Sequence, residues 1–263
     1  MAAVARRVAD KRMLKLLRAF LQAGVMENGL VSPVEEGTPQ GGPLSPLLSN
    51  LVLDELDREL ERRQHRFVRY AEDCNIYVAS ERAGNRVMQS VTRFLRSRLN
   101  LQVNEAKSAV ARPPARKFLG FSFTDAAKSK RRIAPKALLR CQRKIRELTR
   151  RTRGISVQQM TKNLATYLRG WKSYFGFCET PSVLERLDQW IRRRLRSMIW
   201  KQWKRGSRRF AQLRQRGVGK DLAAPTAGSP HGPWRLANRP ALTTALPTAY
   251  FDSLGLPRLF AVR

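Results

Sequence analysis

Histidine and cysteine are scarce in this chain, and acid is scarce relative to base. Two histidines (His65, His231) and three widely separated cysteines (Cys74, Cys141, Cys178) occur in 263 residues. With no Cys-x-x-Cys pair, neither a zinc site nor a disulfide framework organises the chain, and a reducing, cytoplasmic setting fits. No uninterrupted apolar run approaches the ~20 residues a membrane span needs. The basic residues near the start (Arg6, Arg7, Lys11, Arg12) are interrupted by Asp10 and lead into helical periodicity, unlike a signal peptide. Only 20 Asp+Glu stand against 52 Lys+Arg, a net charge of +32. Self-repulsion of that size opposes a compact chain unless a polyanion neutralises it. Nucleic acid is the default partner, with salt-sensitive binding, and an anionic membrane surface is the alternative.

What is present reads as two regions and a tail. Residues 3–23 carry an amphipathic helical pattern, and Asn28-Gly29 marks a tight hairpin turn. Gly37 to Pro46 holds three glycines and three prolines, a loop whose backbone can approach a ligand closely. Helical spacing resumes over 47–63 and 83–99, with β-like runs at 67–71, 76–79, 101–103 and 118–123. This first region is α+β. Residues 125–132 read as a polar, basic linker. Apolar stripes over 136–151, 157–171 and 183–204 then predict helices packing on one another, with capping boxes at Ser156/Gln159 and Ser182/Glu185. Their other faces are crowded with base, including Arg192, Arg193 and Arg194, and this predicts RNA or DNA contact. From Gly206 onward periodicity fades, although Trp234, Tyr250, Phe251, Leu254 and Leu256 predict that part of the tail docks on the helices.

The sharpest chemical signal is Glu72-Asp73, between the β-like runs Phe67–Ala71 and Ile76–Ala79. Adjacent carboxylates at a hairpin tip repel each other unless a cation intervenes, and Mg²⁺ is bound by one or two carboxylates with substrate phosphates. An ordinary polar turn would place acids there as well.

Five stretches in order, Gly37-Thr38-Pro39-Gln40-Gly41-Gly42-Pro43-Leu44-Ser45-Pro46, Tyr70-Ala71-Glu72-Asp73, Asn104-Glu105-Ala106-Lys107-Ser108, Phe118-Leu119-Gly120-Phe121 and Arg169-Gly170-Trp171-Lys172-Ser173-Tyr174-Phe175, resemble the group II intron reverse transcriptase/maturase family. The resemblance implies a partial right-hand polymerase palm at 1–124, an all-α, basic thumb or maturase domain at 125–205, and a C-terminal tail at 206–263. It implies that Pro39, Gln40, Gly41 and Gly42 lie against incoming nucleotide and template. Glu72 and Asp73 would hold the Mg²⁺ of a two-metal site, and Lys107 would lie near the triphosphate. Phe118, Leu119, Gly120 and Phe121 would form the primer grip. Arg169, Lys172 and Tyr174, with the arginine run, would bind intron RNA. Implied partners are group II intron RNA, an RNA template with a DNA primer, and deoxynucleotides, with no membrane and no zinc.

Two departures accompany the resemblance. The family's fingers region and an earlier strand carrying another metal-binding aspartate are missing ahead of residue 1, which reads as N-terminal truncation. Glu72 also stands where the family has aspartate. Its extra methylene moves the carboxylate by roughly 1 Å, and misplacement on that scale costs about 10²-fold in rate. The implied state is an impaired polymerase, with a non-catalytic RNA-binding maturase-like role as the alternative.

Overall fold

The computed structural model describes residues 1–23, 25–27, 30–32, 44–126, 128–150 and 154–260. The chain divides into two units, Met1–Ala111 and Arg112–Arg263, each with its own apolar core. Among the described residues it is mostly helical, with two-stranded antiparallel sheets.

In the first unit, α1 (Ala2–Ala5) and α2 (Lys11–Gln22) replace the single helix expected over 3–23. The break falls at Asp10. Its carboxylate accepts from the backbone N–H groups of Arg12 and Met13, capping a new helix instead of continuing the old one. β1 (Val25–Glu27) pairs with β2 (Leu30–Ser32), Glu27 opposite Leu30. The turn expected at Asn28-Gly29 and the loop residues Pro39, Gln40, Gly41 and Gly42 lie outside the described residues. α3 (Ser45–Arg62), β3 (Arg66–Tyr70), β4 (Asp73–Tyr77) and α4 (Glu81–Leu99) follow. The strand expected at 101–103 does not form. Asn100, at φ 52°, turns the chain out of α4, and the Leu101 N–H bonds back to the Leu95 carbonyl, so the segment finishes the helix.

The core of this unit is small. Leu53, Leu56 and Leu60, spaced three and four apart on α3, pack with Phe67, Cys74 and Ile76 of the β3–β4 hairpin and with Val91, Phe94 and Leu95 of α4. No residue of α2 is buried, and Met13, Leu16 and Phe20 of its expected apolar face are exposed.

The second unit opens with a 3₁₀ turn (Pro113–Ala115) and the hairpin β5 (Phe121–Phe123) and β6 (Arg131–Ile133). The basic stretch expected as a linker is therefore the loop and second strand of a hairpin. The Thr124 N–H donates to the Lys130 carbonyl, and the Lys130 N–H donates to Thr124 Oγ1. Then come α5 (Pro135–Leu148), α6 (Val157–Phe175) and α7 (Pro181–Gln202). Ser156 caps α6 by accepting from the Gln159 N–H at 3.1 Å, as its pattern requires. The second expected box, Ser182 with Glu185, does not form. Pro181 takes the first helical position and moves the start upstream to Thr180.

The tail is helical: α8 (Gly206–Gln215), α9 (Lys220–Ala227), α10 (Pro233–Leu236), α11 (Pro240–Ala245) and α12 (Thr248–Ser253). These helices are too short for an apolar repeat to show in sequence. Leu213, Leu236, Leu242, Leu246 and Phe251 nevertheless share one core with Ile145 of α5, Leu164 and Leu168 of α6, and Ile191 and Leu195 of α7.

Candidate nucleic-acid interface

In the β3–β4 hairpin Tyr70 faces Asp73, leaving Ala71 and Glu72 as the turn. Glu72 is thus in the turn and Asp73 is the first residue of β4, so both acids fall near the tip of the hairpin, as their position between the two β-like runs predicts. Directly paired residues share a face, so Val68, Tyr70, Asp73 and Asn75 lie outward while Phe67, Arg69, Cys74 and Ile76 lie inward. Glu72 and Asp73 are both exposed.

Arg69 is an arginine at an inward position, and it is fully engaged. Nε and Nη2 grip the Asp57 carboxylate of α3 at 2.7 and 2.5 Å, and Nη1 donates to Asn50 Oδ1 and to the Ala71 carbonyl, each at 2.8 Å. The hydrogen bonds to Asp57 raise its pKa further. Ala71 has φ 52°, a left-handed conformation uncommon for a residue with a Cβ. Arg69 therefore ties a strained turn, and the acids beside it, to the rigid length of α3. Beneath the sheet, burial raises the Cys74 thiol pKa to about 11.

Glu72 and Asp73 supply two carboxylates side by side, which suits a Mg²⁺ ion that keeps several waters and completes its shell with substrate phosphate. Among the described residues no group of three or more His, Cys, Asp or Glu side chains surrounds a common point, so no closed protein cage is present. Lys107 belongs to the same unit and is exposed on a turn whose N–H is held by the Asn104 side chain and carbonyl. An open groove of about 620 Å³ runs between α4 and residues 103–110, lined by Arg93, Arg96, Glu105 and Ser108 among others. Neither hairpin acid lines it.

The remaining sequence-predicted residues fall in the second unit, and much of the basic set is committed to holding it together. Arg192 is buried, 3% exposed, and ion-paired with Asp188 and with Asp252 of α12. Arg193 stacks 4.2 Å from the centre of the Trp234 ring and donates to the Trp234 carbonyl. Arg194 donates to Thr149 Oγ1 at 2.5 Å, and burial lowers its pKa. The arginine run assigned to RNA is thus a structural seam. Its i, i+1, i+2 spacing points the three side chains in different directions around α7, each into a neighbouring element. Arg169 and Lys172 donate to the carbonyls of Gly255 and Arg258, and the Tyr174 hydroxyl to that of Leu119. The Phe118–Phe121 segment forms a turn, with Leu119 at φ 50° and Gly120 at φ 78°, and a Cβ on Gly120 would meet the Phe175 ring at 3.1 Å.

The cations left outward are others. Lys201, Lys204, Arg205 and Arg208, where α7 passes into α8, are exposed, and so are Lys136, Arg140 and Arg143 on α5. None of these seven side chains forms a hydrogen bond or ion pair with another described residue. The basic pattern of α7 does not by itself separate these from the engaged arginines, because the partners Thr149, Trp234 and Asp252 lie far away in sequence.

A reverse-transcriptase segment followed by a basic helical domain defines the class. The family model "Reverse transcriptase (RNA-dependent DNA polymerase)" matches residues 4–123, and "Group II intron, maturase-specific domain" matches residues 138–217. The chain belongs to the group II intron reverse transcriptase/maturase family. It is similar to Protein YkfC of Escherichia coli (strain K12), 48% identical over 63 residues, which is 24% of this chain and 16% of that protein. It is 43% identical over 63 residues to the group II intron-encoded protein LtrA of Lactococcus lactis subsp. cremoris, 24% of this chain and 10% of LtrA. An uncharacterized 91 kDa protein in the cob intron of Schizosaccharomyces pombe is 33% identical over 66 residues, 25% of this chain and 8% of that one. The matched stretch is a small part of each of these relatives. Residues beyond 217, which hold Arg192, Arg193, Arg169 and Lys172 in place, lie outside both family models.

Proposed function

We propose that the second unit binds structured intron RNA and that the first carries the carboxylate hairpin of an RNA-directed DNA polymerase palm. The observation that carries this reading is the succession of two family matches on a chain of net charge +32. The outward cations of α5 and of the α7–α8 corner meet phosphate. In the first unit Glu72 and Asp73 would hold Mg²⁺, with Arg69 fixing the turn that presents them. When bound, the metal ions polarise the transferring phosphoryl group and activate the attacking hydroxyl. The Pro39–Gly42 loop and Lys107 would line the nucleotide, and Phe118–Phe121 the primer.

The exposed pair with its glutamate favours a second reading, in which the chain serves RNA folding without polymerisation. One measurement tests the RNA surface common to both readings, and a second separates them. Neutralising Lys201, Lys204, Arg205 and Arg208 together reduces the slope of log K against log salt by about 3, at ~0.7 per phosphate contact on single-stranded RNA. An unchanged slope would remove the RNA surface proposed. Mg²⁺-dependent primer extension that disappears in Asp73→Asn supports the polymerase reading, and extension unaffected by that change overturns it.

A further inference from the structure

The reading above takes in Phe121 and Tyr174 singly, but not the cluster of rings to which they belong. Phe121 and Phe123 lie on the same face of β5, and Arg131 is paired with Phe123 on β6. The Phe121 ring centre is 5.2 Å from that of Phe175, 5.0 Å from Phe177 and 5.9 Å from Tyr174. Phe175 continues inward to Trp171 at 4.8 Å. The inner rings thus rest on the core of the second unit, while the outer ones stay in solvent: Phe177 is 51% exposed, Tyr174 47% and Phe123 36%.

Two of the outer rings are also held still. The Tyr174 hydroxyl donates to the Leu119 carbonyl at 2.9 Å. The Arg131 guanidinium sits 4.9 Å from the centre of the Phe177 ring and donates to the Phe177 carbonyl. Three aromatic side chains left in water, two of them pre-organised, are unfavourable for a free protein and suit a ligand with flat faces of its own.

Charge identifies that ligand. Exposed Lys117 and Lys130 belong to the same hairpin segment, and the whole chain carries +32. A basic protein surface would be repelled and a neutral one gains nothing from the charge, whereas a polyanion bearing π-systems is attracted. A duplex hides its base faces in its own stack. An unpaired strand offers them, and stacking on aromatic side chains is the usual way such bases are held.

We propose that Phe123, Tyr174 and Phe177 form a stacking platform for unpaired nucleobases of a single strand, with Arg131 fixing Phe177. The contact is made by these outer rings, with Phe121 as the support beneath them. The proposal rests on the nucleic-acid reading above and adds to it a site and a ligand form.

The test uses the full chain and a short single-stranded oligoribonucleotide carrying 2-aminopurine, whose fluorescence falls when the base stacks. Phe177→Leu with Phe123→Leu keeps apolar bulk and all charge but removes two π-faces. We expect the wild-type protein to quench the probe. The double variant should lose the quench and bind the single strand roughly 5- to 150-fold more weakly, the equivalent of 1–3 kcal/mol for a stacked base. Its salt slope and its affinity for a duplex of the same length should be unchanged. Unchanged quench and affinity would overturn the platform, as would an equal loss on duplex. If the rings instead meet a second copy of the chain, the wild type sediments as a dimer that the variant dissociates, which also overturns it. Should the double variant unfold, Phe123→Leu alone, at the exposed end of β5, decides by the same quench. Wild-type protein that binds no RNA removes the underlying reading. Binding that responds to Lys201, Lys204, Arg205 and Arg208 but not to the rings removes only the platform.

Discussion

Arg192 and Lys201 lie on one helix a few turns apart and do opposite work. Arg192 is enclosed with Asp188 and Asp252, so removing either partner leaves an unpaired charge in the core. Arg192→Ala should destabilise the second unit by about 3–5 kcal/mol in urea titration. Lys201→Ala, on the exposed face, should stay within about 0.5 kcal/mol while weakening RNA binding. The pair predicts an acid dependence as well. Hydrogen bonds from Arg258, and then from Arg192, hold the Asp252 carboxyl below its usual range. A lowered folded pKa contributes stability that is complete above the unfolded value of ~3.9 and fades as pH falls through the folded one. The stability gap between wild type and Asp252→Asn should therefore be widest near neutral pH and close in acid below about pH 4. Cys74 and Cys141, both held at about 11 by burial, should resist alkylation at pH 8 until urea opens their units. The sequence showed that these residues were basic, acidic or thiol. It could not show which were paired, because Arg192 and Asp252 meet across |i−j| = 60.

At the scale of elements, periodicity was a good guide wherever a helix was long and both its faces had a fixed fate. α3, α4, α5, α6 and α7 formed close to their expected positions; the stripes of α3, α5, α6 and α7 supply core residues, and that of α4 packs half-buried against the core of the first unit. It failed where local chemistry competed with it. Asp10 capped a second helix inside the first pattern, Pro181 displaced a capping box, and the basic run at 125–132 concealed a strand whose partner was β5. The acidic site was legible in its residues but not in its support. Arg69 sits where strand alternation points inward, and a charge there requires a partner, yet only the structure names Asp57, Asn50 and the Ala71 carbonyl. Gly120→Ala tests the second unit in the same manner. With φ 78° and the Phe175 ring 3.1 Å from a new Cβ, the substitution should cost roughly 1–3 kcal/mol and disturb the aromatic stack, visible in near-ultraviolet circular dichroism. On α2, by contrast, Leu16→Gln should leave stability within about 0.5 kcal/mol, since that face is exposed.

On the scale of the whole molecule the two units differ in how much they bury. Three leucines anchor the first, whereas the second encloses residues from β6 to beyond α12 in one core. All five tryptophans, at 171, 190, 200, 203 and 234, belong to the second unit. Tryptophan fluorescence should therefore follow that unit alone, while far-ultraviolet dichroism follows both. In urea the dichroism should begin to fall at lower concentration than the fluorescence changes, and superimposable curves would show one cooperative block.

The pairing of Arg192 with Asp252 also has a consequence in time. A ribosome adds about 5–20 residues each second, so roughly 3–12 s separate the making of the arginine from that of its distant partner. Through that interval Arg192 and Arg193 lack the tail residues that later engage them, whereas Arg194 already has Thr149 and Arg146 to bond to. The nascent helix passes through a phase in which Arg192 and Arg193 are open to surrounding phosphate, and completion of the chain withdraws them.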